Sequence, residues 1–161
     1  MNIFVLDEDP IIAAQMSCNK HTVKMIVETS QMLSAVMHKN GKLGPYKLTH
    51  ANHPCTLWAG KSQENYEWLY EHGVGLCQEY TLRYERRHKC QQLFEDSFNQ
   101  KLGLPAIGQT PFAQAMPDQY RSENPVEAYR KYYIHDKARF AQWKIRPTPQ
   151  WFIDGIKQKE I

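Results

Sequence analysis

From Asp9 to Met37 the apolar and polar residues alternate at helical spacing. Ile12, Met16, Val23, Ile26, Val27, Leu33 and Met37 fall on one stripe, and Ser17, His21, Lys24, Glu28 and Gln31 fall nearly opposite. The pattern predicts one long amphipathic helix whose first stripe faces a core. On the polar side, His21, Lys24, Glu28 and Gln31 follow one another at intervals of three, four and three, which stacks their side chains in one line within mutual hydrogen-bond reach. Such a row is either a solvated face of i,i+4 pairs or a site that gathers an acid, a base and an amide.

The start of this helix is written locally. Asp9 suits an N-cap and Pro10 the first helical position, so the β-prone run of residues 2–6, NIFVL, is cut off and held beside the first turn. His38 and Lys39 suit the C-terminal dipole, and Gly41 can adopt positive φ. Ser62 caps a second predicted helix running to about Lys89, with Tyr66, Leu69, Gly73, Leu76, Tyr80 and Tyr84 as its inner stripe. Residues 91–100 extend that helix or form a short piece after it. Asn124 and Pro125 open a third helix to about Trp143, with Val126, Tyr129, Tyr133, Phe140 and Trp143 inward, and Thr148 with Pro149 start a short final one carrying Trp151 and Phe152. Residues 42–61 and 101–125 read as long irregular connections, the second rich in Gly and Pro. The expected architecture is mainly α: a single compact domain over residues 1–161, with three principal helices, long ordered loops and a short N-terminal extended segment.

Composition narrows this picture. A chain of 161 residues with 42% apolar and 12% aromatic content supports one core rather than two. A formal charge of +3 permits a nucleic-acid or nucleotide partner without demanding one. No run of apolar residues is long enough to span a bilayer, and MNIFVLDEDP lacks the features of a signal peptide, so a cytoplasmic protein without membrane attachment is expected. Cys18, Cys55, Cys77 and Cys90 show no paired spacing and read as buried free thiols.

The loop after the first helix carries His50, Asn52, His53 and Trp58. His50, His53 and Cys55 give H-x-x-H-x-C, a pattern that with Cys18 or His88 has the donors for zinc. No second paired element accompanies it, so the expectation is no metal and no cofactor. Farther on, YRKYYIHDKARFAQWKIR mixes aromatics with Arg130, Lys131, Lys137, Arg139, Lys144 and Arg146, the residue types that contact phosphates and stack on bases. Glu79, Tyr80 and Arg83 read as a helix-surface pair beside a buried ring, with Arg83 also a candidate to orient a phosphate.

Several stretches together resemble the pyrimidine-dimer DNA glycosylase family, the endonuclease V type of phages. The opening MNIFVLDEDP is similar to the start of cellular members. KHTVKMIVETSQ resembles the family's first helix, with Glu28 seven residues after His21. YKLTHANHPCTLW resembles a Tyr-Lys-Asn-His-Pro element, NYEWLYEHGVGLCQEYTLRY a helix ending in Arg-Gly-Tyr or Arg-Gly-Phe, and RPTPQWF an aromatic tail. The resemblance implies base excision in which the chain's own α-amine attacks the sugar C1′ and forms an imine, followed in some members by strand cleavage through β-elimination. An α-amine is intrinsically less basic than a lysine amine, so more of it is the free nucleophile at neutral pH. In this family the glutamate matched by Glu28 stabilises the developing charge and moves protons.

Two positions depart from the phage pattern. Asn2 is bulky enough to hinder removal of Met1, which makes the Met1 amine the nucleophile or leaves a hydrolytic reaction with Glu28 activating water. Val27 and Gln31 stand where the family glutamate has cationic neighbours.

The resulting expectation is a DNA glycosylase removing a damaged or modified pyrimidine from double-stranded DNA, with AP lyase activity through the N-terminal amine, acting as a monomer. Glu28, Met1 and His21 are the catalytic candidates. Lys24, Gln31, His50, Asn52, His53, Trp58, Arg83, Arg146 and Trp151 are the substrate-binding ones. The competing readings are an enzyme acting on a free nucleotide or modified base in a pocket of His21, Lys24, Glu28, His50 and His53, and a non-enzymatic nucleic-acid-binding protein.

Overall fold

In a computed structural model describing residues 1–159, all regular structure is helical. Seven α-helices follow in order: α1 Pro10–Met16, α2 Asn19–Lys39, α3 Pro54–Ala59, α4 Gln63–Tyr84, α5 Gln91–Asp96, α6 Pro125–Tyr132 and α7 Gln150–Lys159. The two longest, α2 and α4, form the frame, and α1 lies against α4. The apolar segment Ile3–Leu6 is buried in the same core, each residue at most 6% exposed and none paired in a ladder. The extended N-terminal segment is therefore a core element, held by side-chain burial instead of by a sheet.

Local capping signals are read correctly by the fold. Asp9 accepts from the amides of Ile11 and Ile12 with Pro10 following, Ser62 accepts from Asn65, and Asn124 accepts from Val126 and Glu127 ahead of α6. The predicted single helix from Asp9 to Met37 is not continuous, however. It breaks at Ser17 and Cys18, both in extended backbone. The carbonyls released there find distant donors. The Arg83 guanidinium donates to Ser17 O at 2.7 Å and Gln15 O at 2.9 Å, and the Trp143 indole donates to Met16 O at 2.8 Å. These bonds replace the helical ones, so the break leaves no buried carbonyl unpaired. It also splits the predicted apolar stripe: Ile26, Leu33 and Met37 are buried, whereas Ile12 and Val23 face solvent.

Two glycines of α4 set how closely its neighbours approach. A Cβ on Gly73 would overlap the Phe94 ring of α5, and one on Gly75 would lie 3.0 Å from Ala14 Cβ of α1. The helix ends at Glu85, which takes a left-handed conformation with φ of 55°, and not at Lys89. The third predicted helix also stops short. Its α portion ends at Tyr132, a π-helical turn covers Tyr133–Lys137, and residues 138–149 carry no helix. That segment packs on the start of α2, where Asn19 N donates to Gln142 O at 2.8 Å.

Two candidate site residues turn out to be structural. His21 does not join the polar row. It is 5% exposed, stacks on Phe4 at 4.2 Å, and pairs through Nδ1 with the Tyr133 hydroxyl at 2.6 Å. Burial, with Lys137, Lys24 and Lys20 nearby, lowers its pKa from 6.5 to about 3, so it is a neutral core histidine. Arg83 is 3% exposed and faces the interior, where it pairs with Glu79 at 3.1 Å while Arg146 closes on the same carboxylate through two bonds of 3.0 and 2.9 Å. It holds helices together and does not face a phosphate.

Removing Glu79 would strand the buried Arg83 guanidinium. Glu79→Ala is expected to lower unfolding free energy by about 3–5 kcal/mol, measured by urea denaturation at neutral pH. The buried histidines set an acid limit. Below pH 6.5 the unfolded chain protonates rings that the native state keeps neutral down to about 4 for His72 and about 3 for His21. Stability is therefore expected to fall as pH drops through that interval, by at most about 1.4 kcal/mol per pH unit for each ring. His72→Gln should flatten this decline in denaturation midpoints recorded across the same range, and an unchanged slope would remove His72 as its source.

Candidate active site

The N-terminal segment turns the chain's first residue onto α2. Met1 Nα lies 3.0 Å from Glu28 Oε1, with the Met1 side chain 3% and the Glu28 side chain 14% exposed. The other carboxylate oxygen, Glu28 Oε2, is buried and has no hydrogen-bond partner in the protein. A buried carboxylate oxygen left open in this way can take a water or a substrate atom.

The position of the amine is fixed by its neighbour. Asn2 is 8% exposed inside an otherwise apolar run. Its Oδ1 accepts from Ile3 N at 2.8 Å and from the Tyr129 hydroxyl at 2.9 Å, and its Nδ2 donates to Ala115 O at 2.7 Å. The Cys55 thiol lies 3.7 Å from the same Oδ1. Three separated parts of the chain, α3, residues 113–115 and α6, thus meet on residue 2.

The loop before α3 brings histidines to this end. His53 caps α3 by accepting from Cys55 N at 3.1 Å through Nδ1, which commits that nitrogen as an acceptor and leaves the proton of the neutral ring on Nε2. Burial lowers its pKa first, then the charge of the N-terminal amine and of His50, with Glu28 acting in the opposite sense. His50 is exposed, has a φ of 51° and pairs with Thr49 Oγ1 at 3.0 Å. Asn52 is exposed on the same loop. Along α2, Gln31 is half-buried one turn after Glu28, and Lys24 is exposed one turn before it.

The remaining candidates lie elsewhere. Trp58 is not an exposed platform. It is 4% exposed, donates to Thr110 O at 3.1 Å and stacks on Phe112 at 5.1 Å, so its ring belongs to the core. Arg146 and Trp151 line a separate cleft of about 590 Å³ with Arg130, Met16, Pro149 and Asp154. There the Arg130 guanidinium sits 5.2 Å over the Trp151 ring, and Trp151 Nε1 is buried without a partner. Among the described residues no cluster of three His, Cys, Asp or Glu side chains could hold a metal ion. Nor is any helix there long and apolar enough to cross a membrane.

Sequence reading missed Asn2 as a buried anchor, and it treated Tyr129 only as packing. The available signal was a single amide in the run NIFVL, since a polar side chain surrounded by apolar ones must be satisfied if the run is buried. Its partners could not be guessed.

The geometry therefore joins an amine, a carboxylate with one free oxygen and a neutral imidazole at the meeting of residues 1–2, α2 and the loop before α3. A family model described as pyrimidine dimer DNA glycosylase matches residues 1–92, more than half of the chain and the part that carries Met1, Glu28, His50 and His53. No curated protein and no solved structure matches the chain.

Proposed function

Because the chain belongs to the pyrimidine dimer DNA glycosylase family, we propose that it excises a damaged or modified pyrimidine from double-stranded DNA by attack of the Met1 α-amine on the sugar C1′. What carries this reading is the 3.0 Å approach of Met1 Nα to Glu28 Oε1, on a carboxylate side chain only 14% exposed. Only an amine that has given up its proton is a nucleophile, and a carboxylate at hydrogen-bond distance can receive that proton.

In the proposed sequence the target nucleotide is first extruded, since C1′ is out of reach inside a stacked duplex. The amine lone pair forms the N–C1′ bond and the base departs with the electrons of the glycosidic bond, taking up a proton. Glu28 holds the proton lost by the amine and returns it to the sugar ring oxygen as the ring opens to an iminium. Removal of a C2′ proton by the same carboxylate then expels the 3′ phosphate, which is the lyase step. His53, neutral and carrying its proton on Nε2, is suited to donate a hydrogen bond to the departing base. Gln31, His50, Asn52 and Lys24 border the site as substrate contacts.

The charge distribution supports a polyanionic substrate. Lys20 and Arg139 flank the Phe140 ring at 4.6 and 5.1 Å, and Lys24 and Lys137 bear on neighbouring His21. These cations surround the start of the helix that carries Glu28, where a phosphate backbone can run toward the site. A second reading is favoured by the unpartnered Glu28 Oε2: that oxygen could activate a water, making the reaction hydrolytic without an imine.

Glu28→Gln is expected to abolish base release from duplexes carrying ultraviolet dimers or modified pyrimidines while duplex affinity is retained. Borohydride should trap a protein–DNA adduct at Met1 if the amine is the nucleophile. Base release without trapping would instead select the hydrolytic reading, and absence of release from every such duplex would remove both. Lys24→Gln should weaken duplex binding across sequences and reduce the slope of log affinity against log salt by about 1.

A further inference from the structure

We propose that Asn2 and Tyr129 are positioning residues that clamp residue 2 so that the amine of Met1 is set against Glu28. The catalytic consequence of this clamp rests on the glycosylase reading above, but the clamp does not.

Apolar burial already holds Ile3, Phe4, Val5 and Leu6 in the core, and Arg130 Nε ties the end of that run through Leu6 O at 2.9 Å. None of these contacts restrains the chain ahead of Ile3. Asn2 does. Its Oδ1 is held by the Tyr129 hydroxyl and its Nδ2 by Ala115 O, residues 127 and 113 positions away. Tyr129 is itself fully buried, its hydroxyl lying 2.9 Å from Ala113 O and accepting from Ala115 N at 3.2 Å. Burial raises its pKa well above 10, so the hydroxyl keeps its proton as a donor. With the amide fixed at both ends and the Met1 side chain packed against the core, the backbone torsions between residues 1 and 2 place the amine.

Those torsions decide the chemistry. Consecutive Cα atoms are about 3.8 Å apart, so an amine beginning at Asn2 would stand roughly one residue back from Glu28 Oε1, beyond hydrogen-bond reach. Methionine 1 is in this sense part of the site, and Asn2 is its mount instead of the reacting residue. A displacement of about 1 Å between reacting groups can cost about a hundredfold in rate. A purely structural amide would have no such effect, because an apolar residue of similar shape would hold the segment as well.

Accessibility of the amine separates these cases without requiring activity. The full chain is treated with succinimidyl acetate at neutral pH, and acetylation of the Met1 α-amine is followed by mass spectrometry relative to exposed Lys61. In the wild type the α-amine should react slowly. In Tyr129→Phe and Asn2→Ala it should react at least about tenfold faster, with Lys61 labelling little changed and the chain still folded at the labelling temperature. Tyr133→Phe, which removes a buried hydroxyl bonded to His21 and not to Asn2, should leave Met1 labelling at the wild-type rate. On damaged duplexes, Tyr129→Phe should lower kcat about 10- to 100-fold with KM nearly unchanged. Wild-type labelling in Tyr129→Phe and Asn2→Ala, equal acceleration in Tyr133→Phe, or an intact mass lacking Met1 would each overturn the clamp. A protected wild-type amine in a protein that releases no base would overturn the glycosylase reading and leave the clamp standing.

Discussion

Arg83 is the constraint on which the arrangement depends. Its guanidinium donates to Gln15 O, Ser17 O and Asn19 Oδ1 and pairs with Glu79, all within a site only 3% exposed. A buried cation is tolerable only if its charge and its donors are met, and here the acceptors are the carbonyls that a helix break exposes. The ion pair and the break therefore require each other. By ending α1 and restarting α2 at this point, the bonds fix the direction in which α2 carries Glu28. Arg146 then closes over Glu79 and brings the C-terminal segment onto the same junction.

A second buried polar assembly sits at the start of the extended segment, whose far end is tied by Arg130 Nε to Leu6 O. The Met1 amine pairs with one oxygen of Glu28, and Asn2 is satisfied by Tyr129 and Ala115. Between these two polar points the chain from Ile3 to Leu6 is purely apolar. Hydrophobic burial is nondirectional and can hold a segment in place without setting its register finely. Hydrogen bonds at its ends supply the direction, which explains how a segment with no strand partner can aim a terminal amine.

Both assemblies reach across the limit of the family match. Glu28 and Met1 lie within residues 1–92, whereas Tyr129, Ala115 and Arg146 lie beyond them. The matched part carries the Met1 amine and the Glu28 carboxylate, and the unmatched part supports them. The cleft of Arg130, Arg146 and Trp151 belongs to that second part, and its two guanidiniums are already engaged, by Leu6 O with Asp7 and by Glu79. Its arginines are first of all structural.

The sequence by itself determined what depends on near neighbours. Asp9-Pro10, Ser62 and Asn124-Pro125 start helices because each cap bonds amides two or three residues on. The stripes of Ile26, Leu33 and Met37 and of Tyr66, Leu69 and Leu76 are buried because helical periodicity fixes which residues share a face. The same periodicity isolated Glu28 on a polar side. Only the tertiary structure decided that the first helix breaks at Ser17, that His21 is buried against Phe4 and Tyr133, and that Arg83 points inward. It set the Met1 amine 3.0 Å from Glu28, an approach that the family resemblance implied but residue spacing alone did not. Each of these depends on a partner contributed from far along the chain, as with Arg83 and Ser17, 66 positions apart, or Asn2 and Tyr129, 127 apart. A periodic pattern says which side of a helix is apolar, but not which distant element will cover the polar side or supply the donors that let a helix end.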